Sequence, residues 1–226
     1  MIPAFLAALS VLAPSRGVLA EPARLELDQA KSFMIVVGHG GGVLGFFSQQ
    51  HVVLAPRWFD NIRLDNARVE SSNAEVIVPI ESLEVDTPEA ARSAGMKNLK
   101  WDPETSKKIL EALRGPDGLD MKDHPEIRFS SVSVQKREGT QLLLKANLSL
   151  RGTTRPVETI VKIAPAENET LHFSGSFKIK FSDFGIRPPR SSPLSALGDD
   201  CEVRYELYTK PKTIVAWNGS HEVSRR

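Results

Sequence analysis

Leu171-His172-Phe173-Ser174-Gly175-Ser176-Phe177-Lys178-Ile179-Lys180-Phe181 alternates apolar and polar residues over its whole length. Successive side chains of an extended strand point to opposite faces, so a period of two marks a strand with one buried face and one wet face. Leu171, Phe173, Gly175, Phe177, Ile179 and Phe181 fall on one face. His172, Ser174, Ser176, Lys178 and Lys180 fall on the other.

The same pattern recurs on both sides of this stretch. Leu142, Leu144, Ala146, Leu148 and Leu150 alternate with Lys145, Asn147, Ser149 and Arg151. Cys201, Val203, Tyr205 and Leu207 alternate with Asp200, Glu202, Arg204 and Glu206. Ser32–Val37, Gln50–Ala55, Ala74–Glu81, Ile127–Gln135 and Pro156–Ile163 read as further strands. Glu138-Gly139 and Arg151-Gly152 supply turn chemistry between neighbours. About eight strands on short connections, each with one apolar face, fit an antiparallel sheet closed on itself, because closure removes exposed edges. The expected fold class is all-β: a lipocalin-like antiparallel barrel of about eight strands with a helical insertion between two of them.

That insertion is Thr87–Asp123. Thr87-Pro88-Glu89 and Asp102-Pro103-Glu104 each place a capping side chain before a proline at the first helical position. Ile109, Leu110 and Leu113 form an apolar stripe that ends at Gly115. The segment is expected to pack against the barrel or over its mouth. The domain is read as residues 21–210, with residues 1–20 as an export signal and 211–226 as a tail. Ile2–Ala13 is an apolar run, and Val18-Leu19-Ala20 makes a small-residue cleavage site before Glu21, although no Lys or Arg precedes the run.

Composition narrows the function. The 226 residues carry 29 basic and 28 acidic side chains, for a net charge of +1. Nucleic-acid binding usually leaves a concentrated basic face, so nucleic acid is not an expected partner. A single cysteine, Cys201, excludes an intramolecular disulfide and any cysteine-based metal site, and its inward strand position reads as an inert buried thiol. His39, His51, His124, His172 and His221 lack the local spacing of a metal site, and none is expected. Gly40-Gly41-Gly42-Val43-Leu44-Gly45 matches a dinucleotide fingerprint only in letters, because no helix former follows to hold a pyrophosphate. It reads as a glycine-rich apolar loop. No serine lies in a G-x-S-x-G elbow, and no catalytic residue or cofactor is expected.

Four segments together resemble the YceI-like family. They are His124-Pro125-Glu126-Ile127-Arg128-Phe129-Ser130-Ser131, Leu148-Ser149-Leu150-Arg151-Gly152-Thr153-Thr154-Arg155-Pro156-Val157, Ser182-Asp183-Phe184-Gly185-Ile186 and Gly198–Leu207. The insertion is longer than in compact members of that family. Where one branch has a histidine-containing motif, Ser48-Gln49-Gln50-His51 keeps only His51. The resemblance implies a periplasmic, lipocalin-like barrel enclosing a tunnel for a polyisoprenoid or similar amphiphile.

The residues themselves are compatible with such a tunnel. An eight-stranded barrel is about the size at which the interior either fills with side chains or holds one ligand. Burying ~400 Å² of lipid chain at about 25 cal/mol/Å² is worth roughly 10 kcal/mol before association costs. Phe33, Phe46, Phe47, Phe129, Leu148, Phe173, Phe177 and Phe181 are the expected ligand-binding residues. An isoprenoid carrier is the leading expectation; a filled, partner-binding barrel and an enzyme acting on an isoprenoid lipid are the alternatives. Monomer and homodimer are both left open.

Overall fold

The computed structural model describes residues 22–38, 50–97, 102–187, 192, 193 and 197–211. The segment expected to be an export signal, the glycine-rich loop with Phe46 and Phe47, and the tail beyond Pro211 lie outside the described residues.

Eleven strand segments build one antiparallel sheet. They are β1 (Ala23–Leu25), β2 (Phe33–Gly38), β3 (His51–Ala55), β4 (Phe59–Leu64), β5 (Asn73–Pro79), β6 (Glu84–Val85), β7 (Glu126–Lys136), β8 (Gln141–Leu150), β9 (Thr153–Pro165), β10 (Leu171–Lys180) and β11 (Asp200–Tyr208). The order across the sheet is β1-β4-β5-β7-β8-β9-β10-β11-β2-β3-β6. The all-β expectation holds, and the difference in strand number has a simple cause. β1 pairs with β4 while β2 pairs with β3, so β1–β2 and β3–β4 each act as one strand with a break. A Leu27–Thr209 bridge carries the β11 ladder past the first break. There the Ser32 hydroxyl takes the Tyr208 N–H at 2.8 Å and donates to the Asp28 carbonyl at 2.7 Å. Counted this way, eight strand positions go round the barrel, and β6 is a two-residue addition beside β3.

The sequence reading missed β1, β4 and β6. The first and last are too short to show a period, and β4, Phe-Asp-Asn-Ile-Arg-Leu, has exposed Phe59 where an apolar residue would be expected inside. The predicted Ala74–Glu81 strand stops at Pro79, where the chain enters a 3-10 turn at Ile80–Ser82. β7 needs a correction that alternation cannot supply. Ile127 and Phe129 face the interior, a bulge intervenes between Ser131 and Ser133, and Val134 then faces inward with the opposite parity. The extra residue is Val132, pushed out to 65% exposure.

Two helices form within the insertion, α1 (Pro88–Ser93) and α2 (Pro103–Arg114). Both predicted caps are in place: the Thr87 hydroxyl accepts the Ala90 N–H, and the Asp102 carboxylate accepts the Glu104 N–H. The helices do different things. α1 lays Ala90 on the outer face of β2 and β3, against Ile35, Val37, Val52 and Leu54. That is why β3 is buried along its whole length instead of alternating. α2 turns Ile109 and Leu113 into the main core at one end of the barrel.

Candidate functional site: an apolar cavity inside the barrel

The barrel interior is not filled. A cavity of about 230 Å³ runs between its two ends, on a scale where one buried water takes roughly 10–15 Å³. The covering of the lining residues fits this. Met34, Val36, Ile62, Phe129, Phe173, Phe177 and Val203 point inward yet are only partly buried, because the surface they leave uncovered faces the cavity.

Each end is bordered by a local device. At one end the Asp65 carboxylate accepts the Ala67 and Arg68 N–H groups at 3.0 and 2.8 Å, and the Ser72 hydroxyl accepts the Asp65 N–H at 3.0 Å. This tight turn presents Val69 to a cluster of Leu25, Leu64, Val134, Leu142, Val161, Ile163 and Leu171. Arg63, Ser72 and Asn73 also border the cavity there. At the other end Leu83, Leu113 and Leu119 reach the lining from the insertion. The Arg114 guanidinium donates to the carbonyls of Glu81 and Leu83 at 2.6 and 2.9 Å, which pins the last turn of α2 over that end.

Of the eight residues expected to bind ligand, Phe129, Leu148, Phe173, Phe177 and Phe181 line the cavity. Phe46 and Phe47 lie outside the described residues. Phe33 is a correction: it lies on the outer face of β2, packed with Ala94 and Met96 around the α1 contact. Both faces of Phe-Met-Ile-Val-Val are apolar, so alternation offered no direction, and the covering helix is what makes the outer face apolar. Met34 and Val36 line the cavity instead. Leu113 and Leu119 were also missed as lining residues, because their inward position depends on how α2 docks.

Tyr205 is the polar exception in the middle of the wall. Its ring lines the cavity, and its hydroxyl lies 3.0 Å from the Thr159 hydroxyl. Thr159 is buried and donates to the Ser176 carbonyl at 3.0 Å. Burial pushes the Tyr205 phenol up to about 12. Cys201 is buried as expected, and desolvation, reinforced by Asp199 and Asp200, pushes its thiol up to about 12. It is therefore un-ionised near neutral pH, a poor state for a nucleophile. Among the described residues no group of three His, Cys, Asp or Glu side chains is placed to hold a metal. His51 is paired instead, its Nδ1 lying 2.6 Å from the buried Asp86 carboxylate. No described helix is long and apolar enough to cross a membrane.

Comparison with known proteins agrees with this architecture. "Protein YceI" of Salmonella arizonae is 35% identical over 79 residues, which is 33% of this chain and 41% of that relative's length. The crystal structure of BcnA from Burkholderia cenocepacia superposes with a TM-score of 0.62 at 19% identity, covering 82% of this chain and all of that one. A Saccharophagus degradans domain described as polyisoprenoid-binding superposes with a TM-score of 0.54 at 12% identity, covering 84% of this chain and 99% of its own. The YceI-like domain pattern matches residues 25–208, from β1 to the end of β11. The chain belongs to the YceI-like family.

Proposed function

We propose that this barrel binds one long apolar chain, such as a polyisoprenoid or an isoprenoid quinone, and carries or sequesters it in the periplasm without reacting on it. The observation that carries this reading is the unfilled interior, lined from Leu25 at one end to Leu113 at the other almost wholly by apolar side chains. An empty apolar space costs the protein dispersion contacts, and a chain that fills it restores them. The polyisoprenoid-binding description of the Saccharophagus degradans domain, which shares the fold, supports an isoprenoid over other chains. The leader-like Ile2–Ala20 segment and the family support the periplasm.

Organic extraction of the purified protein followed by mass spectrometry tests the proposal. An isoprenoid lipid recovered in near-stoichiometric amount is the expected result. A lipid-free protein that also fails to take up geranylgeraniol overturns it.

A further inference from the structure

Phe129 and Phe177 stand partway along the cavity, not at its ends. On β7, Phe129 lies between Ile127 and Val134; on β10, Phe177 lies between Phe173 and Ile179, and all of them are on the lining. The cavity therefore continues on both sides of the two rings. Their centroids are 6.1 Å apart, the spacing of aromatic rings in contact. No chain passes between them.

The strand register shows what else stands at this level. From Phe177 the cross-strand row runs through Val203 and Val36 to Val53. Phe129 is flanked in its own row by Val76 and Leu148. Val53, Val76 and Leu148 are buried, so the wall is packed there. Val36, Val203 and the two rings point inward yet are only partly buried. The uncovered surface at this level thus belongs to two large rings and two short valines. The free space runs past one side of the ring pair, along Val36 and Val203. Buried Val76 and Leu148 hold Phe129 from both flanks, and a close-packed wall gives little when pushed.

Resting on the cavity reading above, we propose that Phe129 and Phe177 are specificity-determining residues of this barrel: a waist that passes one slender open chain and rejects fused rings by steric clash. A ligand with a cyclic head keeps that head on one side of the waist, and only its chain crosses.

The test measures the affinities of geranylgeraniol and abietinol. Both are primary alcohols with the same number of carbons, one an open chain and the other three fused rings. Forcing the phenyl rings aside costs what overfilling a core costs, so the wild type should prefer geranylgeraniol by roughly 10- to 100-fold. Phe177→Ala and Phe129→Ala each remove one half of the waist and should cut that preference several-fold. Leu142→Ala frees space at the Asp65 end, away from the pair, and should keep the wild-type ratio of affinities. Equal binding of the two alcohols by the wild type overturns the waist and leaves the cavity reading standing. So does a ratio unchanged in both phenylalanine variants, or one that falls as far in Leu142→Ala. Failure of the wild type to bind geranylgeraniol overturns both. Should neither alanine variant fold, Phe177→Leu removes the ring, keeps an apolar side chain, and carries the same comparison.

Discussion

Phe129 on β7 and Phe177 on β10 meet inside the barrel, their ring centroids 6.1 Å apart and their planes tilted by 32°. They stand three places apart in the order around the sheet, and both line the cavity, so they contact each other across it. Offset or tilted aromatic pairs at this separation add about 0.5–1.5 kcal/mol beyond the area they bury. The pair narrows the cavity without filling it.

Phe177 is therefore the side chain to vary. Phe177→Ala should destabilise by about 1–3 kcal/mol, less than the 3–5 kcal/mol typical of a filled site, because the ring already borders empty space. Phe177→Asp should abolish lipid uptake and lower the melting temperature, since an unpaired carboxylate in an apolar interior is costly. Lys178→Ala, one residue along on the exposed face, should leave affinity within error. Titration and thermal melting, run separately, check all three. A folded Phe177→Asp protein that binds geranylgeraniol as the wild type does would move the ligand out of the cavity.

Leu113 tests the α2 end of the cavity. It is 2% exposed, packed in the main core, and lines the cavity. Leu113→Ala should cost about 2–4 kcal/mol by the usual large-to-small rule, read from the denaturation midpoint. Replacing the whole Thr87–Asp123 insertion with a short turn should keep the β-sheet circular dichroism but lower the melting point markedly. α1 and α2 bury Ala90, Ile109 and Leu113, and that burial goes with them.

Asp86 adopts a left-handed backbone at φ 53° and uses both carboxylate oxygens. One accepts the Val52 N–H at 2.7 Å, and the other lies 2.6 Å from His51 Nδ1. Asp86→Ala should cost about 2–4 kcal/mol, since it strands buried donors and puts a methyl-bearing residue in a conformation it disfavours. Asp86→Asn keeps an acceptor and tolerates that backbone, so it should cost less, about 1–2 kcal/mol. Equal losses in the two variants, measured by urea denaturation, would contradict this ordering.

Alkaline pH should unfold the protein through Tyr205 and Cys201. Both hold their protons more tightly in the fold, up to about 12 for each, so the unfolded chain ionises first. Their contribution is complete below the unfolded values, about 9 for the thiol and about 10 for the phenol. It is lost as the pH rises towards 12. For Tyr205 the loss is on the order of 2–3 kcal/mol. Tyr205 should give a late tyrosinate absorbance. Tyr205→Phe should flatten the upper part of the stability curve.

The strands that face water on one side were legible because the physics that places them is local. In Leu171–Lys180 and Gln141–Leu150, the order of residues alone sorts inside from outside. The helix starts at Thr87 and Asp102 were legible for the same reason, since a cap satisfies donors only two or three residues away. Where both faces are covered, the signal disappears. β2 is apolar throughout, and only the docking of α1 turns Phe33 outward and leaves Met34 and Val36 to the cavity.

By itself, then, the sequence determined the sheet, most of its strands, the five lining positions Phe129, Leu148, Phe173, Phe177 and Phe181, and the family. The tertiary structure decided whether the interior is empty, which end α2 borders, and that Tyr205 meets Thr159 through space made by Gly175. Alternation says which way a side chain points but not how far it must reach. Whether eight walls of side chains meet in the middle depends on strand register, on the bulge at Val132, and on the packing that gathers residues as distant in sequence as Leu113 and Phe181 into one core.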